Sequence, residues 1–240
     1  MNILVTGGAS GLGEAITRIL AKNPDNSVFF TYSSSDKGAK NIESSFDNAT
    51  AFKCNFRDQV EVSSLVDKIE SLDLDVLINN AFTGEAIKTY FHKMEQGDFS
   101  EDFLNNLIPT IRITQEAIIR FRKKKSGKII TILTSFLTNV PPLGSSSYVA
   151  SKAYLGSLVK SWANENIKFN ISSNAVSPSF MQTQLTSEVD ERIIDQMTAE
   201  HPLKKLLTVE EVADAVLYLT KASRQINGLD LLINHGSNLK

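Results

Sequence analysis

The sequence predicts an α/β fold: one parallel sheet with helices on both faces, in a single domain. Three observations carry that prediction. Short apolar runs alternate with helix-period segments through most of the chain. A glycine-rich turn joins the first apolar run directly to the first helical segment. No internal repeat or low-complexity linker divides the 240 residues, a length that suits one domain.

Residues 3–5 form a buried strand that opens into the glycine turn. Leu12, Ala15, Ile16, Ile19 and Leu20 then recur at helical spacing. Residues 28–32 and 50–54 are the second and third strands. Val60, Val62, Leu65, Val66 and Ile69 mark an amphipathic helix before a strand at 75–78. A long helix spans about 98–121, followed by a β-branched strand at 128–133. A helix over about 147–164 leads to a strand at 169–176, and a helix at 209–219 leads to a seventh strand at 229–233. Right-handed crossovers restrict this order to a doubly wound, Rossmann-like arrangement. Residues 82–97 and 179–207 are long for connections, which makes them candidate substrate loops, with 136–147 a third.

Composition narrows the function. Hydrophobic residues make up 42% and charged residues 22%, ordinary for a soluble globular protein. The net charge of −2 argues against a nucleic-acid partner, because phosphate binding needs an excess of cations on some face. The one basic run, Lys123-Lys124-Lys125, reads as a solvated helix end with cations at the negative pole of the dipole. The single cysteine, Cys54, allows no intrachain disulfide, fits a reducing compartment and reads as a small core residue. Residues 1–6 lack the pattern of a signal peptide, and no run of about 18 apolar residues exists to span a membrane. A cytoplasmic location is expected. His92, His201 and His235 are isolated in sequence, so no metal site is expected, and Trp162 reads as packing bulk.

Thr6-Gly7-Gly8-Ala9-Ser10-Gly11-Leu12-Gly13 lies between the first strand and the first helix. Glycines let the backbone turn tightly and approach a pyrophosphate, and a helix N-terminus supplies amide donors and a positive dipole end. Further along, Tyr148-Val149-Ala150-Ser151-Lys152 places two ionisable side chains four residues apart on one helix face. A phenol near pKa 10 is too weak an acid for efficient proton transfer at neutrality. An ammonium nearby favours the phenolate and lowers that value. Ser135 precedes Tyr148 by thirteen residues, with Thr134 the alternative hydroxyl.

The spacing of Gly7, Gly11 and Gly13 (G-x-x-x-G-x-G), the Y-x-x-x-K pair and Ser135 resemble the short-chain dehydrogenase/reductase family. The likeness extends to Asn106, to Asn79-Asn80-Ala81, to Asn174-Ala175-Val176-Ser177-Pro178, to Thr183 and to Gly228, all in family order. It implies Tyr148 as proton donor, Ser135 on the substrate carbonyl oxygen, and Lys152 tuning Tyr148 and holding a ribose. Asn106 would then support a proton relay, with Asn105 one register away. The implied cofactor site comprises Gly7, Ser10, Gly11, Leu12, Gly13, Ser33, Ser34, Asn55, Phe56, Asn80, Ala81, Tyr148, Lys152, Pro178 and Thr183.

Four departures stand out. Phe82 replaces a glycine whose backbone lies beside the ribose, so its side chain is expected to point away, toward substrate. Asn55 stands for an aspartate, Ser179 for a glycine, and Asn234-His235-Gly236 for D-G-G. No acid follows the second strand until Asp36, which favours NADP(H) over NAD(H), although NAD(H) is possible. Ser33, Ser34 and Ser35 would accept the extra phosphate, with Lys37 or Lys40 adding charge.

The general likeness is to bacterial 3-oxoacyl-thioester reductases, which implies a small or carrier-bound carbonyl substrate. A homotetramer or homodimer through the helices at 98–121 and 147–164 follows by analogy. Two alternatives remain open: an NAD-dependent sugar or polyol dehydrogenase, and a catalytically idle, nucleotide-binding regulatory subunit suggested by the altered Phe82, Asn55 and Ser179.

Overall fold

Alternation along the first strand sends Ile3 and Val5 to one face and Leu4 to the other, and all three are fully buried. A strand apolar on both faces needs a helical layer on each side. The computed structural model, which describes residues 1–187 and 189–237, supplies both layers. The sheet contains β1 (Asn2–Val5), β2 (Ser27–Tyr32), β3 (Ala49–Lys53), β4 (Val76–Asn79), β5 (Gly127–Ile132), β6 (Ile171–Pro178) and β7 (Asp230–Ile233). All pairings are parallel, in the order β3-β2-β1-β4-β5-β6-β7. The direction of winding reverses between β1 and β4, where doubly wound sheets open a crevice at their carboxyl ends.

One face is covered by α1 (Gly11–Ala21), α2 (Asp36–Ser45) and α8 (Val209–Lys221), whose Ile16, Leu20, Ile42, Val212 and Val216 pack on Ile3, Val5, Ile78 and Ile130. The other face is covered by α3 (Gln59–Ile69), α5 (Ile108–Lys124) and α6 (Ser146–Asn166). There Val62, Ile69, Ile113 and Phe121 meet Leu4, Leu77 and Ile129. Each such side chain contributes about 1.5–3 kcal/mol on burial. Trp162 is half-buried and packs against this second layer, as packing bulk should.

Several boundaries differ from expectation for identifiable reasons. Helix α2 fills the connection after β2, which the apolar pattern leaves unassigned because only Ala39 and Ile42 are buried there. The sixth strand begins at Ile171 instead of 169, because residues 167–169 form a short 3₁₀ turn and Asn170 is left-handed (φ 58°). The long helix at 98–121 is composite: α4 (Gln96–Asp102), a π-helical turn at Phe103–Leu107, then α5. Residues 179–207 contain a helix, α7 (Glu191–Glu200). The loop at 82–97 is tied to α4 by an ion pair from Lys88 to Asp102 at 3.0 Å.

Lys124 closes α5 by pairing with Asp75 (2.7 Å) and Asp73 (3.1 Å), the helix-end role expected of the basic run. Among the described residues no helix is long and apolar enough to cross a membrane.

Candidate active site

The glycine turn is fixed from below by Thr6. Its hydroxyl accepts from the Asn80 and Ala81 amides, both at 3.0 Å, and donates to the Ile78 carbonyl. Asn80 Nδ2 in turn donates to the carbonyls of Thr6 (2.9 Å) and Gly7 (3.2 Å). The turn after β1 and the loop after β4 therefore form one unit. Gly7 has φ +66°, in the left-handed region. A Cβ on Gly13 would stand 1.9 Å from the Gly7 carbonyl oxygen, so only glycine fits there. Ser10 precedes α1 but makes no side-chain cap bond, and it lines the cleft instead.

That cleft has a volume of about 710 Å³ and runs across the carboxyl ends of the strands. At one end lie Ser33, Ser34, Asn55, Phe56 and Arg57. In the middle lie the glycine turn, Asn80 and Ala81, and at the other end Tyr148, Lys152, Pro178 and Thr183. Every residue of the implied cofactor site lines this one space, whereas Lys37 and Lys40, expected to add charge to a phosphate, do not. The cradle fits such a cofactor: a turn closed to any Cβ, a helix N-terminus, and no acid among the serines after β2. Arg57 joins this end of the cleft although sequence reasoning does not single it out. It follows β3, beside β2 in the sheet, and pairs only loosely, at 3.2 Å and half exposed, with Glu101. Its one signal is an isolated arginine just past a strand end, which nothing in the local pattern sets apart.

Tyr148 and Lys152 lie one turn apart on α6 and both are buried. Lys152 Nζ donates to the Ile132 carbonyl at 2.8 Å, and burial lowers its pKa to about 8. Burial pushes the Tyr148 phenol up to about 12, opposed by a hydrogen bond with Thr134. The expected lowering by the ammonium is absent and desolvation decides the direction: Nζ points to a carbonyl and sits 5.7 Å from the centre of the Tyr148 ring.

The hydroxyls before Tyr148 divide unexpectedly. Thr134 lines the cleft, bonds to Tyr148 and accepts from the Phe136 amide at 3.3 Å. Ser135 is 1% exposed, its Oγ has no hydrogen-bond partner, and it does not line the cleft. Asn106 is also buried behind the cleft, within the π-helical turn. Its Oδ1 accepts from the Thr83 amide (2.6 Å) and hydroxyl (3.1 Å), and its Nδ2 donates to the Thr83 carbonyl (3.1 Å). It anchors the loop after β4, whereas Asn105 is half-buried and its Nδ2 donates to Glu101 Oε1 at 3.5 Å.

Phe82 turns its ring toward the catalytic pair, at the reacting end of the cleft. Its ring meets Tyr148 edge to face, centroids 5.0 Å apart, and lies 5.3 Å from Lys152 Nζ. Without a glycine at this position, the ring fills the space beside the two side chains and helps to dry them. Asn55 Oδ1 is taken by the Arg57 amide at 3.0 Å, which leaves it shaping the turn.

Elsewhere, Asn174 clamps the strand ends, donating to the Ile226 carbonyl and accepting from the Leu229 amide, both at 2.9 Å. Burial pushes the Cys54 thiol up to about 12, consistent with an unreactive core group. His201 and His235 meet with ring centroids 3.9 Å apart although they are distant in sequence. Among the described residues no group of three ligating side chains could hold a metal.

Comparison with known proteins agrees with this fold and identifies a family. A family profile described as enoyl-(acyl carrier protein) reductase matches residues 7–238. The chain is 32% identical over 235 residues to 3-oxoacyl-(acyl-carrier-protein) reductase FabG of Rickettsia prowazekii, covering 97% of this chain and 95% of that protein. It is 30% identical over 238 residues to nodulation protein G of a Rhizobium species, with the same coverage. Among solved structures it is similar to a short chain dehydrogenase from Burkholderia cenocepacia in complex with NADP, at 27% identity and a TM-score of 0.85, covering 99% of this chain and 97% of that one.

Proposed function

The chain belongs to the short-chain dehydrogenase/reductase family, and on that footing we propose that it is an NADP(H)-dependent reductase of a ketone carbonyl. The observation that carries the reading is the convergence of Tyr148, Lys152 and the glycine cradle on one cleft. Ser10, Gly11, Leu12 and Gly13 would hold the pyrophosphate, Asn55 and Phe56 would flank the adenine, and Ala81, Pro178 and Thr183 would border the nicotinamide. The dinucleotide, when bound, supplies hydride to the carbonyl carbon. The protein's own part is acid catalysis and positioning. Tyr148, with its high pKa, stays protonated at neutrality and can give its proton to an oxygen that gains charge. Lys152 lines the same cleft, and below about pH 8 its ammonium would carry a positive charge there and could hold a ribose. Asn106 holds the loop that floors the site.

Ser135 is the hydroxyl assigned to the oxyanion by family likeness; its Oγ has no partner but lies behind the cleft, so that role requires it to turn toward the cleft. Thr134 is a second candidate, because it is the hydroxyl that Tyr148 touches. We expect Ser135→Ala to lower kcat about 100-fold, the size of one lost oxyanion donor, with Thr134→Val lowering it less. The reverse ranking in single-turnover kinetics would move the role to Thr134.

For the cofactor, the acid-free turn at Ser33–Ser35 and the cation Arg57 support a 2′-phosphate. Fluorescence titration is expected to show NADPH binding at least tenfold tighter than NADH, and Arg57→Ala to narrow that gap. A preference for NADH would favour a sugar or polyol dehydrogenase. Cofactor binding without turnover of any carbonyl would favour an idle regulatory subunit. Assembly through the composite helix at 98–121 and the helix at 147–164 belongs to the same reading, since Phe103 and Tyr154 form a solvent-exposed aromatic pair there, 5.8 Å apart.

A further inference from the structure

The sheet order separates the cleft into two chemically different halves. The half above β3, β2 and β1 carries serines, glycines, Asn55 and Arg57, with Leu12, Tyr32 and Phe56 as its main apolar residues. The half above β4, β5 and β6 receives one phenylalanine from each of the three loops: Phe82 three residues after β4, Phe136 four residues after β5, and Phe180 two residues after β6. All three are half-buried, so each presents part of a ring to the cleft. Phe82 is fixed against Tyr148 by the edge-to-face contact at 5.0 Å, which places the apolar wall at the reacting end. Met181 and Leu185 extend it.

Several hydroxyls in this half are committed to the protein, those of Ser179 and Thr183 excepted. The Thr83 hydroxyl is held by Asn106, and that of Thr134 by Tyr148 and the Phe136 amide. The Thr186 hydroxyl lies among the backbone groups of Met181 and Thr183 at 2.8–3.1 Å. Besides Tyr148 and Lys152, Glu85 is the only ionisable residue among the described ones lining this half, and it is exposed. A ligand rich in hydroxyls would lose water here and find few free partners, whereas a hydrocarbon would lose nothing.

We propose that Phe82, Phe136 and Phe180 are specificity-determining residues that select a ketone with apolar flanks over a polyhydroxylated one. The proposal rests on the reductase reading and names its substrate class. An apolar wall rejects an added hydroxyl only modestly, about 100-fold at most, but it rewards each buried methylene about fourfold. Discrimination therefore comes chiefly from hydrocarbon length and accumulates with each hydroxyl on the competitor.

The test compares methyl alkyl ketones from butanone to octanone with dihydroxyacetone and erythrulose, using NADPH and the intact protein. The expected result is kcat/KM rising about fourfold per methylene until the wall is covered, and at least tenfold above the hydroxylated ketones. Phe136→Ala and Phe180→Ala are expected to raise KM for octanone about tenfold with little change in kcat, and leucine at either position to restore most of the loss. Equal or better turnover of the hydroxylated ketones, or a flat alkyl series, overturns the proposal. Binding is scored separately, as the thermal shift of the NADPH-saturated protein with each ketone. If no ketone turns over, the reductase reading fails. A thermal shift that still grows with alkyl length would then uphold the apolar site, and its absence would remove that too.

Discussion

Tyr148→Phe is expected to lower kcat between about 100-fold and 10,000-fold, the range associated with loss of a positioned general acid, while leaving NADPH affinity within about threefold. The substitution removes one oxygen and keeps the ring, so the contact with Phe82 at 5.0 Å survives. Thr134 loses its bond to the phenol but keeps the Phe136 amide as a donor. Stability should therefore change by no more than about 1 kcal/mol, the net worth of one hydrogen bond. Steady-state kinetics, fluorescence titration and a melting curve on one preparation separate lost chemistry from lost fold. Unchanged turnover would remove Tyr148 from the mechanism.

The same pair sets the expected pH profile. Lys152 is charged below about pH 8 and neutral above it, while Tyr148 keeps its proton to about pH 12. Reductive kcat/KM should thus be level through neutrality and decline above about 8, as the ammonium is lost. Stability responds with a different sign in each case. The Lys152 pKa is depressed on folding, so the cost of burying its charge is fully present below about 8 and is relieved as pH rises toward the ordinary lysine value. The Tyr148 pKa is raised, so the advantage of keeping the phenol neutral is lost only at still higher pH, as it approaches 12. A rate profile flat through pH 9 would show that Lys152 is not the titrating group.

Gly13→Ala is the second large effect, and two opposing contributions decide its sign. Gly13 lies in the first turn of α1, where helix propensity alone favours alanine by about 1 kcal/mol. The added Cβ, however, would stand 1.9 Å from the Gly7 carbonyl oxygen and 2.6 Å from Asn80 Nδ2. The first neighbour is backbone, pinned by the Asn80 network, and cannot rotate aside. Overpacking of this kind costs typically 1–3 kcal/mol, so the clash wins. The variant should melt several degrees lower and bind NADPH at least 100-fold more weakly, because relief requires the turn to open. Gly97→Ala is the control. It lies in helix α4, where a Cβ would meet no atom within 4 Å, and it should gain about 0.5–1 kcal/mol. A Gly13→Ala protein as stable as the parent, with normal cofactor affinity, would contradict the cradle as described.

The sequence by itself determined the parts of this protein that depend on local rules. The alternation of short apolar runs with helix-period segments specified a parallel sheet and its winding, because strands apolar on both faces need helices on each side and crossovers are right-handed. Glycine spacing specified a turn whose backbone requirements no other residue meets at positions 7 and 13. The pairing of Tyr148 with Lys152 follows from helical pitch alone. What the tertiary structure decided lies where side chains from different strands' ends meet. It turned Phe82 onto Tyr148 and Lys152, brought Thr134 into the cleft and put Ser135 behind it, and set Arg57 beside the serine turn. It also reversed the direction expected for the phenol. The physical reason is common to all of these. Desolvation, and the direction a side chain takes at a strand end, depend on every loop that closes over the site, and those loops come from three crossovers far apart in the chain. Spacing along one segment carries no record of them.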